Sequence, residues 1–261
     1  MRYKLIVTEF LWKVKYLIEY INTFKGYIPI IKDELNKYNL NECDEILALQ
    51  SGIWLPDYIY SIVKNISIVN TEQLTDSRHE RQICEETNIV KQKCGYDITI
   101  YDYSSTNCEI LEKHGFKTKF YPCIPIKEEI DYLHSLHNLE KIYDVGFVGT
   151  LSNRRKKILD ELSSIGIKVC ISTDFGQERD CKMAMCKYIL NIRWCDDYKI
   201  FNHIRCNRLL QSGYKVISEE SLEMCNSCNL FTAPYENLVE ITKTLIEKEK
   251  NKIHSIDKSI E

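Results

Sequence analysis

The side chains with the clearest chemistry are arginines that stand just after predicted strands in the second half of the chain. Arg154 opens a helix after the glycine-containing turn at 146–150, and Arg179 lies in the first turn of the helix that begins within FGQERD. Strand-to-helix junctions of parallel sheets present helix N–H groups that favour negative charge. Arginine binds phosphate oxygens in a bidentate manner. Together with Arg205 on a later helix, these residues predict a site for an anion such as a diphosphate.

Four further residues could complete this site. Gly149 and Thr150 follow the first strand of the second half, where a glycine lets the backbone approach a ligand closely. Glu219 ends a later strand, and an ionised carboxylate there accepts hydrogen bonds from ribose hydroxyls. His203 begins the helix that carries Arg205 and could contact a diphosphate.

Structural interpretations of the same residues stay open. Arg179 can pair with the neighbouring Asp180, and Glu219 can form a salt bridge with an arginine where helix and strand meet. The turn GFVGTLSN lacks the third glycine of a dinucleotide-binding fingerprint. That absence disfavours a Rossmann-type oxidoreductase or methyltransferase.

Carboxylates at strand ends of the first half are candidates for a general base. Glu72 follows the predicted strand 66–70, and Asp102 follows the predicted strand 97–101. A general base has to come within hydrogen-bond reach of the hydroxyl that it deprotonates. The alternatives are that Glu72 caps the following turn and that Asp102 caps the helix that begins at Ser105.

The elements that must position these groups alternate along the chain between β-branched runs and helical periods. The predicted strands span 4–8, 45–49, 66–70, 97–101 and 117–121 in the first half, and 143–150, 167–173, 188–194, 214–218 and 230–233 in the second. One helix is expected between Ser104 and Gly115, and a last one from about Tyr235. This alternation is typical of an α/β protein with two parallel-sheet, Rossmann-like domains.

Composition excludes several classes of protein. A net charge of −3 disfavours a nucleic-acid binder. The 12 cysteines are scattered through apolar segments, as expected for free thiols of a cytosolic protein. The single CxxC at Cys225 and Cys228 has no second pair, so no metal site is predicted. No apolar run reaches the ~20 residues of a membrane span, and a cytoplasmic location is expected.

Four segments in order resemble the nucleotide-sugar-binding half of GT-B glycosyltransferases, most closely the group-1, CgeB-like branch of bacteria and large DNA viruses. They are YDVGFVGTLSNRRKKILDELSSIGIKV, FGQERD, CKYILNIRW and FNHIRCNRLLQSGYKVISEES. The first half, with NTEQLT and YDYSSTN, is similar to the acceptor-side domain of the same proteins. The resemblance implies two Rossmann-like domains that face each other across a cleft, an acceptor-side domain over 1–134 and a nucleotide-sugar-binding domain over 135–261.

The resemblance also implies an activity, the transfer of a hexose or related sugar from a nucleoside-diphosphate sugar, with a UDP-sugar expected, to a hydroxyl of a glycan or protein acceptor. No cofactor, metal, nucleic acid or membrane span is implied, and a viral relative would place the protein in the host cytoplasm or the virion. The implied donor contacts are Gly149, Thr150, Arg154, Arg179, His203, Arg205 and Glu219, with Glu72 or Asp102 as the base. The alternative is a catalytically inactive GT-B-like module that binds a sugar nucleotide or a partner.

Overall fold

The computed structural model describes residues 2–257, without the side chains of residues 13, 14, 16 and 252–257. The chain divides into two compact units. The first comprises Met1–Ile126 and Asp197–Ile204, and the second comprises Lys127–Asp196 and Arg205–Glu261. Each unit is built on its own sheet, and every strand pairing in both sheets is parallel. The predicted α/β class with two parallel sheets is therefore confirmed.

The first unit contains a six-stranded sheet in the order β2-β1-β3-β4-β5-β6. Its elements are β1 (Tyr3–Thr8), α1 (Leu11–Ile21), β2 (Tyr27–Ile31), β3 (Cys43–Leu49), α2 (Asp57–Ile62), β4 (Ile66–Asn70), α3 (Ser77–Cys94), β5 (Thr99–Asp102), α4 (Ser105–Lys113) and β6 (Lys117–Phe120). Strand β2 was not predicted, because Pro29 interrupts its apolar pattern. Proline is tolerated there since β2 lies at the edge of the sheet.

The central strands of the first unit are buried on both faces. In β3, Ile46 and Ala48 belong to one apolar cluster, whereas Leu47 and Leu49 belong to another on the opposite face. Alternate residues of a strand point to opposite faces, so a continuous apolar run fills two cores at once. This explains why β3 and β4 read in the sequence as unbroken hydrophobic segments.

The second unit contains a five-stranded sheet in the order β11-β10-β9-β7-β8. Its elements are α5 (Lys127–Ser135), β7 (Tyr143–Val148), α6 (Asn153–Ser164), β8 (Val169–Ser172), α7 (Gly176–Ala184), β9 (Cys186–Asn191), α8 (His203–Gln211), β10 (Val216–Glu219), β11 (Leu230–Ala233) and α9 (Leu238–Asp257). The first two residues of α8 are assigned to the first unit. Among the helices of residues 2–257, none has the length and apolar character that a membrane span requires.

The boundary between the units differs from the predicted one at residue 134, which falls inside α5. The second unit begins at Lys127, and contacts within that unit account for the difference. The Tyr214 hydroxyl donates to the carbonyl of Leu133 at 3.0 Å, and Glu129 pairs with Arg208. Helix α5 therefore packs with the second unit, although its polar sequence is that of a connection.

All ten predicted strands are present, two of them (66–70 and 230–233) with the predicted ends and the others with shifted ends. The predicted helix after Ser104 is also found, because the Ser104 hydroxyl caps it by accepting from Asn107 N at 3.1 Å. The strand predicted over 188–194 ends instead at Asn191. Beyond that residue, side chains rather than a neighbouring strand satisfy the backbone: Arg155 donates to Ile192 O, and Arg193 N donates to Glu219.

Three helices of the second unit are joined by a buried ionic network. Arg208 on α8 donates two hydrogen bonds to Asp180 on α7, at 2.8 and 2.9 Å, and its Nε donates to Glu129 on α5. Burial alone would raise the pKa of Asp180, but the hydrogen bonds from Arg208 and Arg179 outweigh it and lower that pKa. The carboxylate is therefore held ionised in the interior of the unit.

Replacing Asp180 with Ala should lower the free energy of unfolding by about 3 kcal/mol, because it leaves a buried guanidinium without its bidentate partner. Urea denaturation followed by circular dichroism measures this loss. The matched control is Asp160→Ala, since Asp160 is exposed and pairs with Lys156 one turn away on α6. That variant should change the free energy by less than about 0.5 kcal/mol, and equal losses in both variants would contradict the role given to Asp180.

Candidate functional site

Four arginines gather at the carboxyl edge of the second sheet and are called the arginine cluster below. They are Arg154, Arg155, Arg193 and Arg205, which come from α6, from the segment after β9 and from α8. Each is held by acceptors that lie at or just after the ends of β7, β9 and β10. The parallel topology brings these strand ends to one edge, so residues far apart in the chain share one site.

Glu219 is the central acceptor of the cluster and is fully buried. Its Oε2 accepts from Arg154 Nη1 at 2.6 Å and from Arg193 N at 3.1 Å. Its Oε1 accepts from Arg193 Nε at 2.7 Å and also from Arg154 Nη2. Burial would raise the pKa of Glu219, but the hydrogen bonds from Arg154 and Arg193 prevail, and the pKa lies below its usual value. The carboxylate thus fixes two guanidinium groups.

The other two arginines lie against the turn after β7. Arg155 is buried and donates from Nη1 to the carbonyl of Thr150 at 2.9 Å, while Arg205 Nη1 donates to Asn191 Oδ1 at 3.1 Å. Gly149 has φ +127°, and a Cβ at this position would stand 3.1 Å from Arg205 Nη2. A glycine is therefore required both by the backbone angle and by the close approach of the guanidinium.

Part of the positive charge of the arginine cluster is accessible. Arg154 and Arg193 share the buried carboxylate of Glu219, and Arg154 Nε also donates to the exposed carboxylate of Asp196 at 2.9 Å. Arg154 and Arg193 remain partly accessible, with 14% and 21% of their side chains exposed. Partly accessible guanidinium groups at the end of a parallel sheet are suited to binding an anion.

Most of the predicted donor contacts come together in this cluster. The structure brings Gly149, Thr150, Arg154, Arg205 and Glu219 to the same edge of the second sheet. Both oxygens of Glu219 are engaged by arginine, as in the salt-bridge interpretation, although the partners are Arg154 and Arg193. A contact between Glu219 and a ribose stays a prediction.

Two predicted donor contacts have other surroundings. Arg179 Nε donates to Asp180 at 2.8 Å, which is the alternative given by the sequence. His203 belongs to the first unit, where its ring lies edge-on to Tyr103 and Phe201 at centroid distances of 6.2 and 5.2 Å. Their roles in donor binding stay predictions.

The sequence-based prediction noted Arg155 beside Arg154 at the start of a helix, but it did not include Arg193, Asn191 or Arg155 among the site residues. Arg193 and Asn191 lie at and just after the end of β9, so the rule that ligands lie at strand ends could have identified them. The prediction placed that strand end three residues too late, at Trp194, which put both inside the strand. Arg155 adjoins Arg154 in the chain, and only the structure shows it turned to the backbone of Thr150 and Ile192.

The first unit carries a cavity of about 250 Å³ at the carboxyl edge of its own sheet. Residues that follow β1, β3 and β4 line it, among them Glu9, Gln50 and Glu72, together with His79 from α3. Gln50 has φ +68°, a conformation that costs free energy in a residue other than glycine. Such strained residues cluster at functional sites.

Glu72 is oriented within this cavity by its neighbours. Its Oε1 accepts from Gln50 Nε2 at 3.0 Å, and its Oε2 lies 3.7 Å from His79 Nδ1. The backbone N–H of Glu72 donates to Asn70 Oδ1 at 3.1 Å. The carboxylate is 41% exposed, so it is both positioned and accessible.

Asp102, the second candidate base, lies in a different environment. It is fully buried, its Oδ1 accepts from Ser104 N at 2.8 Å and from Asn107 Nδ2 at 3.1 Å, and its Oδ2 accepts from Asn70 Nδ2 at 2.6 Å. A base has to reach its substrate, whereas these contacts hold Asp102 against Asn70 and the residues at the start of α4, where Ser104 is the cap. Its hydrogen bond with Asn70 also orients that residue, which lines the cavity.

No protein-family model matches this chain. It is similar to three proteins of Acanthamoeba polyphaga mimivirus, each bearing the name uncharacterized protein. Identity is 30% with L138, covering 89% of this chain and 29% of L138, and 30% with L137, covering 81% and 28%. Identity with L140 is 29%, covering 88% of this chain and 76% of L140. The chain thus spans less than a third of L138 and L137, and these relatives are viral.

The lowered pKa of Glu219 predicts a specific acid dependence of stability. A depressed pKa contributes stability above the ordinary glutamate pKa of about 4.3, and this contribution is lost as the pH falls through the folded-state value. The wild type should therefore be more stable than Glu219→Gln at pH 7, and the gap should narrow progressively below pH of about 4.3. Urea denaturation at a series of pH values from 7 downwards measures the difference in the free energy of unfolding between the two proteins.

The matched control for this prediction is Glu236→Gln, because Glu236 is an exposed carboxylate of the same unit. Its small difference from the wild type should not change with pH. A gap between the wild type and Glu219→Gln that stays constant as the pH falls would contradict the ionised, arginine-bound state of Glu219.

Proposed function

We propose that the chain is a glycosyltransferase of the GT-B type whose second unit binds the diphosphate of a nucleoside-diphosphate sugar. The observation that carries the proposal is the arginine cluster at the carboxyl edge of the second sheet. Open α/β sheets bind ligands at this edge, and guanidinium groups pair with phosphate oxygens. The motifs that resemble the donor half of GT-B enzymes contain all four of these arginines.

The proposed role of the arginine cluster is to stabilise the leaving group. In glycosyl transfer, the bond between the anomeric carbon and a phosphate oxygen breaks, and the nucleoside diphosphate departs with the electron pair. Preorganised positive groups stabilise the charge that develops on that oxygen. Arg154 and Arg193 are held in place by Glu219 before any ligand arrives. The proposed transfer is metal-independent, with UDP as the nucleotide to test first.

The first unit is proposed to bind the acceptor, a glycan or a protein, in the cavity that contains Glu72. In an inverting transfer, the acceptor oxygen forms the new bond to the anomeric carbon while its proton passes to the base. Glu72 is proposed as this base because it is accessible and is held by Gln50 and by the backbone contact with Asn70. A positioned carboxylate of this kind typically contributes a factor of about 10²–10⁴ to the rate.

Arg205→Ala should weaken the binding of UDP by roughly ten- to a hundred-fold, because a hydrogen bond between charged groups contributes about 1.5–3 kcal/mol. Isothermal titration calorimetry with UDP measures the dissociation constant. Arg205 suits this test better than Arg154, since removing Arg154 would leave the buried carboxylate of Glu219 with one arginine fewer.

Lys157→Ala serves as the control for Arg205→Ala, because Lys157 is an exposed cation on α6. It should bind UDP as the wild type does, and circular dichroism should show both variants folded. The proposal is wrong if the wild type binds neither UDP nor GDP, or if it binds NAD or S-adenosylmethionine instead.

Glu72→Gln should lower the turnover number for UDP release from a UDP-sugar by about 10²–10⁴ while the dissociation constant for UDP stays unchanged. Glu85→Gln is the matched control on exposed surface of α3 and should retain full turnover. Turnover is measured with a panel of UDP-sugars and methyl glycosides. UDP binding without any turnover in the wild type would favour the alternative of a non-catalytic sugar-nucleotide-binding module.

A further inference from the structure

We propose that the cavity of the first unit selects a saccharide that bears a free ammonium group, that is, an amino sugar. Naming this ligand the acceptor rests on the proposed function, whereas its binding to the cavity does not. Three features of the cavity support the choice. They are the acidic residues of its lining, the unpaired polar atoms at the same sheet edge and the exposed aromatic rings that follow a lining glutamate in the chain.

The lining of the cavity is acidic. Glu9, Glu72 and Glu86 all line it, whereas no lysine or arginine does so among the described residues. Two groups offset this charge in part, because Lys32 Nζ lies 3.8 Å from Glu9 Oε1 and His79 lies beside Glu72. Among the lining residues themselves, three carboxylates stand against one imidazole. Anionic sugars are therefore repelled, and an ammonium group is attracted.

The same edge contains polar groups that lack a partner. Trp54 lines the cavity, and its buried indole N–H has no hydrogen-bond acceptor among the described residues. The buried hydroxyls of Thr8 and Thr71, which precede the lining residues Glu9 and Glu72 in the chain, are also unpaired in the described part of the protein. An unsatisfied buried polar group is costly. Of these three residues Trp54 lines the cavity, and a ligand rich in hydroxyls offers the acceptor that its indole N–H requires.

An aromatic surface follows Glu9 directly in the chain. The rings of Phe10 and Trp12 stack with an interplanar angle of 12°, and the two residues are 44% and 55% exposed. Exposed aromatic rings offer a flat apolar surface to the face of a sugar ring. A saccharide whose amine reaches the glutamates could thus lay an adjoining ring on this surface.

The test is binding of simple glycosides to the whole chain without nucleotide. At about pH 6.5, where an amine of pKa near 7.7 is protonated, methyl glucosaminide should bind at least about tenfold more tightly than methyl glucoside. Its N-acetyl derivative, which has no charge, should lose that advantage. Methyl glucuronide should bind more weakly than methyl glucoside. Ligand-observed NMR titration measures all four dissociation constants.

Two variants separate the charge from the hydrogen bond. Glu86→Gln should reduce the preference for glucosaminide over glucoside to less than about threefold, because it removes a negative charge from the lining. Trp54→Phe should weaken the binding of both glycosides by about fivefold and keep that preference. Glu85→Gln, which removes an exposed charge from the same helix, should leave all values unchanged. Circular dichroism checks that each variant is folded.

Equal binding of glucosaminide and glucoside, tighter binding of the glucuronide, or no binding of any glycoside would each overturn the inference. These outcomes are independent of UDP binding, which tests the arginine cluster of the second unit. A chain that binds glucosaminide but not UDP would retain the amino-sugar site and lose the proposed transferase function. The reverse result would retain the donor site and exclude this choice of acceptor.

Discussion

The arrangement of the second unit depends on one buried carboxylate. Guanidinium groups repel one another, so four of them can gather at a sheet edge only where acceptors hold them. Glu219 accepts four hydrogen bonds from two arginines while it is entirely shielded from water. Its position at the end of β10 determines where Arg154 and Arg193 must lie. The positive edge of the sheet is thus a consequence of where one strand ends.

A comparison within the same unit shows that arginine pairing alone does not define a functional site. Arg208 is buried against two carboxylates, Asp180 and Glu129, so its charge is fully compensated and it joins three helices. In the arginine cluster, Arg154 and Arg193 share one buried carboxylate and remain partly accessible. The access from solvent distinguishes a structural network from a site that can take up an anion.

The first unit has its cavity at the corresponding, carboxyl edge of its own sheet, but the residues there are acidic. Its strand ends supply carboxylates, amides and an indole where the second unit supplies guanidinium groups. Asp102, which is buried and engaged on both oxygens, orients Asn70, and Asn70 in turn holds the backbone of Glu72. The buried carboxylate of Asp102 therefore helps, through Asn70, to hold the accessible carboxylate of Glu72 in position.

The sequence by itself determined the α/β class, the ten strands first predicted and most of the residues that meet at the arginine cluster, because periodicity and strand-end position depend on local residue patterns. It could not locate β2, whose proline is acceptable only at a sheet edge, or assign α5 to the second unit. The partners of Glu219 and Asp102 were also decided by the tertiary structure alone. Hydrogen bonds between side chains depend on which strand ends become neighbours, and a parallel sheet makes neighbours of residues that lie far apart in the chain.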